Sequence, residues 1–130
     1  MKKFTLKRAE RLTGRKIFGD LMINGKLMVH FPFRIHWKQY PLAGKCPVQV
    51  GFSVPKKLLK KASARNLLRR RMKEAYRKNK YILYEPVQSG NHQLSVLLIY
   101  TADEVISYQV LEEKIIVTLK KLSSAYEESL

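Results

Sequence analysis

The sequence predicts an α+β fold: a single compact two-layer sandwich in which helices pack on one mixed central sheet, in the order α-β-β-β-α-β-α. Three observations carry this expectation. Residues 31–38 and 48–54 alternate apolar and polar side chains with period two, as strands with one buried face do. Residues 94–100 are almost wholly apolar, which suits a central strand buried on both faces. Three other stretches repeat apolar residues at helical spacing.

Residues 1–11 are basic and poor in apolar side chains, and read as a flexible arm. Thr13 is placed to cap a helix running to about residue 24, with Gly25 as its stop. Ile17, Phe18, Leu21 and Met22 give that helix an apolar stripe. One more short strand near residues 27–29 is left open by the residues themselves. In the next strand Phe31, Phe33, Ile35 and Trp37 alternate with Pro32, Arg34, His36 and Lys38. In the one after it, Val48, Val50, Phe52 and Val54 alternate with Gln49, Gly51 and Ser53. Pro41, Gly44 and Pro47 mark the loop between them.

Pro55 closes the last of these strands, and a helix follows over 63–79. Residues 81–90 read as part short helix, part loop. Thr101-Ala-Asp-Glu104 resembles a capping box for a final helix over 103–122 that buries Ile106, Val110, Ile115 and Leu119. Residues 123–130 are expected to fray. No repeat or Pro/Gly/Ser-rich linker divides the chain, so residues 1–130 are read as one domain.

Charge narrows the function. The chain carries 26 Lys and Arg against 10 Asp and Glu, a net +16. Residues 1–80 hold 23 of the basic and 3 of the acidic residues, a net of +20. Residues 81–130 hold 3 basic and 7 acidic, a net of −4. A cationic half facing an anion fits this asymmetry better than a general solubility surface. Nucleic acid is the usual partner, with an anionic membrane as runner-up. The one cysteine, Cys46, argues against a disulfide framework. Residues 4–16 are too charged for a secretory signal, and no stretch is apolar enough to span a bilayer. A cytoplasmic protein, monomeric when free and without a membrane partner, is the expectation.

Between Lys56 and Lys80 there are twelve Lys and Arg and one acid, Glu74. On a helical wheel of roughly 100° per residue, Leu68, Met72, Ala75 and Tyr76 share one arc. Asn66, Arg69, Arg70, Lys73 and Arg77 fall on the next, with Arg65 on the border. One face anchors the helix and the other is a cationic ridge. A solvated helix normally mixes Glu with Lys at i,i+4. Here like charges repel, and a polyanion would relieve that repulsion. Guanidinium groups such as those of Arg69, Arg70 and Arg71 can fork onto phosphate oxygens.

The segment from Gly51-Phe-Ser-Val through Lys56-Lys57 to Arg65-Asn66-Leu-Leu-Arg69-Arg70-Arg-Met-Lys73-Glu-Ala-Tyr76-Arg77 resembles the signature of the ribonuclease P protein subunit. The likeness extends more loosely over residues 6–122. It implies that an RNA subunit cuts the 5′ leader from precursor tRNA while the protein binds both RNAs. It implies RNA contacts by Lys56, Lys57, Lys60, Lys61, Arg65, Asn66, Arg69, Arg70, Lys73 and Arg77. It also implies a leader cleft between the first helix and the sheet, with Phe18, Met22, Phe33, His36 and Phe52 lining it and Arg11, Arg15 and Ser53 nearby. Stacking on rings with cations alongside suits a leader of variable sequence. Phe18, Phe33 and Phe52 each also fit plain core packing. Three positions depart from the family pattern: Leu67 stands where the third residue of an Arg-Asn-Arg motif is usual, Met22 where a second Phe is frequent, and His36 where an aromatic is common.

No catalytic or metal-ligating set is legible. Glu10, Asp20 and Glu74 are scattered, and His30, His36 and His92 lack ligand spacing. No cofactor is expected on the protein alone, and magnesium is expected in the RNA complex. A structural or assembly RNA-binding protein of the ribosome would share the charge but not the motif after Gly51. A DNA-binding regulator would normally show dimerisation patterning.

Overall fold

The computed structural model describes residues 6–12, 15–41 and 46–130, the side chains of Arg8 and Arg15 excepted. Eight regular elements follow a short 3-10 turn at Arg8–Glu10: α1 (Arg15–Asn24), β1 (Lys26–His30), β2 (Phe33–Pro41), β3 (Val48–Ser53), α2 (Ala62–Asn79), α3 (Tyr81–Ser89), β4 (His92–Tyr100) and α4 (Tyr108–Glu128). The expected cap Thr13 lies outside the described residues.

The strands form one sheet in the order β1-β2-β4-β3. β1 with β2 and β2 with β4 are antiparallel, and β3 runs parallel to β4. A parallel neighbour needs a crossover, which α2 and α3 supply. β4 is central, and all seven residues from Leu94 to Tyr100 are buried. The expected short strand exists as β1, and α+β with a mixed sheet is the observed class.

Register divides the sheet into two faces. Phe33, Ile35, Trp37, Val48, Val50, Leu94, Val96, Leu98 and Tyr100 form the main core with α2, α3 and α4. From α2 it takes Leu68, Met72, Ala75 and Tyr76, the arc the wheel assigns. Among the described residues, the other face carries a small cluster of Leu12, Leu21, Leu97 and Ile99, with Ile17 and Phe18 packed on it. Among the described helices, α1 is the one that lies across this second face. Gly25 lets the chain pass from α1 into β1: a Cβ there would stand 2.4 Å from the Leu21 carbonyl oxygen.

Four expectations need correction. Residues 81–89 are a complete helix, α3, because Leu83, Tyr84 and Val87 all reach the core. The final helix starts at Tyr108, five residues later than expected, with the Ser107 hydroxyl accepting from the Val110 amide at 3.4 Å. The box-like Thr101–Glu104 segment goes unused because other bonds claim this loop. The Tyr100 hydroxyl donates to the Glu104 carbonyl at 2.6 Å, and Arg71 donates to that of Ile106 at 3.0 Å. The helix then runs on to Glu128 instead of fraying from residue 123. Tyr126 is fully buried there, with its hydroxyl 2.8 Å from His92 Nδ1. Finally, the arm is pinned from Leu6 onward. Glu10 is buried against Lys80, with Nζ donating to Oε1 at 2.5 Å, and the Leu12 amide donates to the Val50 carbonyl at 2.9 Å.

Candidate nucleic-acid interface

The ridge grows out of the end of β3. Pro55 begins a loop in which Lys56, Lys57, Lys60 and Lys61 are all exposed. α2 then starts at Ala62 with no acidic residue in its first turn and no side-chain cap from Lys61. The positive end of the helix dipole therefore adds to the lysines rather than being neutralised, a favourable setting for an anion. Burial of Leu68, Met72, Ala75 and Tyr76 fixes the rotation of α2 and turns Asn66, Arg70 and Lys73 to solvent.

The arginines divide into different tasks. Arg65 donates to the carbonyls of Leu59 and Lys60, both at 2.8 Å, and so staples the lysine loop to the helix. Arg69 donates to the Asn66 side-chain oxygen, one turn back. Arg77 is paired with Glu74, which also has Lys78 at 4.0 Å. The Arg77 guanidinium beside it holds the Glu74 carboxyl below its ordinary range. Leu67 is half-buried beside the ridge, not on it.

The second surface lies under and beside α1. Phe18 is half-buried, and its ring rests on Gly51, where an added Cβ would sit 3.3 Å from two ring carbons. Gly51 pairs with Leu97 and Leu97 with His36, so these three form the floor beneath the helix. The next row toward the β4 end is Val29, Arg34, Ile99 and Ser53. Met22 is exposed on α1, and Arg11 stands at the outer edge of β3, bridged to Val50. Arg15 opens α1, but its side chain lies outside the description.

Two expected cleft residues are elsewhere. Phe33 is fully buried in the main core, edge-on to Tyr100 with centroids 6.3 Å apart. Phe52 faces the same way, 5.7 Å from the Tyr76 ring. Strand alternation explains both, because Gln49, Gly51 and Ser53 are the β3 residues on the α1 face. His36 is on the correct face but buried beneath α1. Burial, then the nearby Arg34 charge, push its imidazole toward the neutral form, against the Leu21 backbone.

Sequence reading missed what holds α1 in place. Asp20 accepts from Lys38 at 2.8 Å, from Tyr40 at 2.5 Å and from Asn24 at 2.8 Å. These bonds, Lys38 first, hold its carboxyl far below the usual range. Burial and then the Asp20 bond push the Tyr40 phenol up to about 12. A groove of about 420 Å³ opens beside this knot, lined by Ile17, Tyr40, Pro41, Gln49, Gln93 and Ser95. The alternation that puts Lys38 and Tyr40 on the α1 face was legible, but their partner was not.

The buried ion pair was missed as well. Glu10 also accepts from the Tyr84 hydroxyl at 2.8 Å and the Lys7 amide at 2.5 Å. Burial pushes its carboxyl up, but the Lys80, Lys7 and Tyr84 bonds outweigh that and leave it below the ordinary value. Among the described residues, no three His, Cys, Asp or Glu side chains are grouped to hold a metal ion. No helix is long and apolar enough to cross a membrane.

Comparison with known proteins fits this geometry. The family model described as Ribonuclease P matches residues 6–123. The ribonuclease P protein component of Chlorobaculum tepidum is 34% identical over 128 residues, covering 92% of this chain and 83% of that protein. The same component of Porphyromonas gingivalis (strain ATCC 33277) is 28% identical over 109 residues, covering 84% and 80%. Among solved structures, the RNase P protein from Thermotoga maritima superposes with a TM-score of 0.68 at 24% identity, covering 86% of this chain and 96% of that one. The Staphylococcus aureus RNase P protein does so with a TM-score of 0.68 at 18% identity, covering 88% and 96%.

Proposed function

The chain belongs to the ribonuclease P protein family, and we propose that its two surfaces divide the work of that ribonucleoprotein. It is the protein component of ribonuclease P, which matures the 5′ end of tRNA, and it assembles with an RNA subunit. In this reading the ridge of Lys56, Lys57, Lys60, Lys61, Asn66, Arg69, Arg70 and Lys73 grips the RNA subunit. The face crossed by α1 takes the single-stranded leader of precursor tRNA. Cleavage belongs to the RNA, with magnesium held mainly by its phosphates and ordered by the protein's cations. The free protein is a monomer and works in the bacterial cytoplasm.

The observation that carries the reading is the rotation of α2. Four fully buried residues lock one arc into the core and leave the adjacent cationic arc in solvent, with almost no acid to balance it. Arg65 and Arg77 enter differently from the other ridge residues. Arg65 shapes the lysine loop, and Arg77 is paired with Glu74, so both act mainly by positioning.

The test is reconstitution. Protein mixed with a bacterial ribonuclease P RNA at low magnesium should remove the leader from precursor tRNA. Protein rigorously freed of RNA should leave the same substrate intact. Metal-dependent cleavage by the protein alone would overturn the division of labour.

A further inference from the structure

Five of the large apolar side chains exposed to solvent fall within ten residues: Met22 (47%), Ile23 (82%), Leu27 (58%), Val29 (67%) and Phe31 (64%). They occupy the last turn of α1, the edge strand β1 and the hairpin that joins it to β2. Register places Leu27 and Val29 on the α1 face, because they pair with His36 and Arg34. Met28 packs into the main core and His30 meets Lys121 of α4, so the alternate side chains point the other way. An open strand edge with exposed apolar residues is an uncommon liability unless something covers it.

Charge selects the occupant. Arg34 is exposed within the row that includes Val29, and Lys56 and Lys57 follow just beyond Ser53 at its other end. Asp20, on the α1 side, is already bonded to Lys38, Tyr40 and Asn24. Glu10 is buried against Lys80. Exposed Glu128 shares a groove with Leu27 and Met28 at the strand edge, and Lys26 lines the same groove. Apolar surface with cations beside it, and with Asp20 and Glu10 engaged, fits a single-stranded polyanion whose bases need stacking area. A second copy of a chain of net +16 would instead meet like charge.

We propose that the row Ser53–Ile99–Arg34–Val29 is a track across the sheet, and that Leu27, Val29 and Phe31 at its open end form a second stacking platform for the distal nucleotides of an RNA leader. The proposal rests on the leader reading above and extends it past the helix. Three inter-strand spacings separate β3 from β1, about 14 Å. A strand that keeps the duplex rise of roughly 3.4 Å per nucleotide needs about four nucleotides to cross that distance, and a more extended one fewer. Leaders too short to cross do not reach the platform.

The probes are precursor tRNAs whose leaders are about 3, 6 and 12 nucleotides long, bound to the enzyme assembled with its RNA subunit. The variants are Leu27→Ser with Val29→Ser, and separately Phe31→Ser; melting curves of the free proteins confirm folding. Both variants should bind the shortest precursor and mature tRNA as the parent does. Phe31→Ser should lose about 5-fold or more on the longest leader, and the Leu27→Ser with Val29→Ser protein should weaken on the same substrate. Phe18→Ala should weaken every leader-bearing substrate. If Phe18→Ala acts but the edge variants bind all leader lengths like the parent, the platform is wrong and the groove stands. If Phe18→Ala is silent too, the leader reading itself falls. Equal losses on mature tRNA, or a dimer of the free protein that the edge variants dissolve, would also overturn the platform.

Discussion

The two faces of the sheet are built on opposite terms. One is closed by three helices and a dense apolar core, and it holds nearly every large fully buried side chain, Phe33, Ile35, Tyr76 and Tyr100 among them. The other is crossed by one ten-residue helix resting on a small cluster. That helix is tied down by polar bonds to Asp20. Stability resides in the first face. The second leaves Arg34, Met22 and Val29 exposed to solvent. Substituting the same residue type on the two faces should therefore give different phenotypes.

The largest expected effect lies where the N-terminal segment joins the helices. Glu10→Gln breaks the buried Glu10–Lys80 ion pair, which should cost about 3–5 kcal/mol in denaturant unfolding. Because the Glu10 carboxyl titrates below its unfolded value, the stability it adds is complete at neutral pH. It is lost as the pH falls through the lowered value. The parent should thus lose stability in acid more steeply than Glu10→Gln. Parallel pH profiles would mean that the pair does not stabilise the fold.

Next comes Phe33→Ala, which empties a core position and should destabilise by about 3–5 kcal/mol. Any loss of RNA binding should then match the fraction unfolded. Selective loss of precursor tRNA by a folded Phe33→Ala protein would place that ring in the cleft after all. Asp20→Asn should act more gently. The fold should survive, while discrimination between precursor and mature tRNA weakens as α1 loosens over Gly51. Unchanged discrimination would show that the Asp20 knot does not position the helix. Smallest are the ridge variants. Arg69→Ala and Lys73→Ala should each weaken RNA-subunit binding and lower the slope of log K against log salt by roughly 0.7–0.9, one phosphate contact. Affinity and slope unchanged from the parent in both variants would mean a merely solvated ridge.

How much the sequence reveals follows the same division. Alternation and apolar runs placed β2, β3 and β4, and the wheel of α2 named its four buried residues, because burial repeats with a fixed period. β1 carries no such pattern, and the residues leave it open as one more short strand near residues 27–29. The ridge was legible from charge alone. The cleft was not. Phe33 and Phe52 fit the aromatic lining a leader wants, yet alternation sends them into the core while Gly51 and Ser53 face α1. Pairs far apart in the chain, Glu10 with Lys80 and Asp20 with Lys38, leave no local pattern, so only the fold reveals them. Thr101 reads as the cap because Glu104 stands three residues on, as in a capping box, whereas Ser107, the cap in the structure, has Val110 there. The bonds from Tyr100 and Arg71 decide between them.

The claim that the open face is the leader site is tested most directly by Phe18→Ala. The measurement is the ratio of mature to precursor tRNA dissociation constants for the enzyme assembled with its RNA subunit. Loss of one stacking surface worth about 1–3 kcal/mol should shrink that ratio by roughly 5- to 150-fold, through weaker precursor binding alone. Mature tRNA binding and assembly should hold, and the half-buried ring predicts a modest fall in the melting temperature of the free protein. An unchanged ratio in a folded protein would contradict the account, as would equal weakening of both tRNAs.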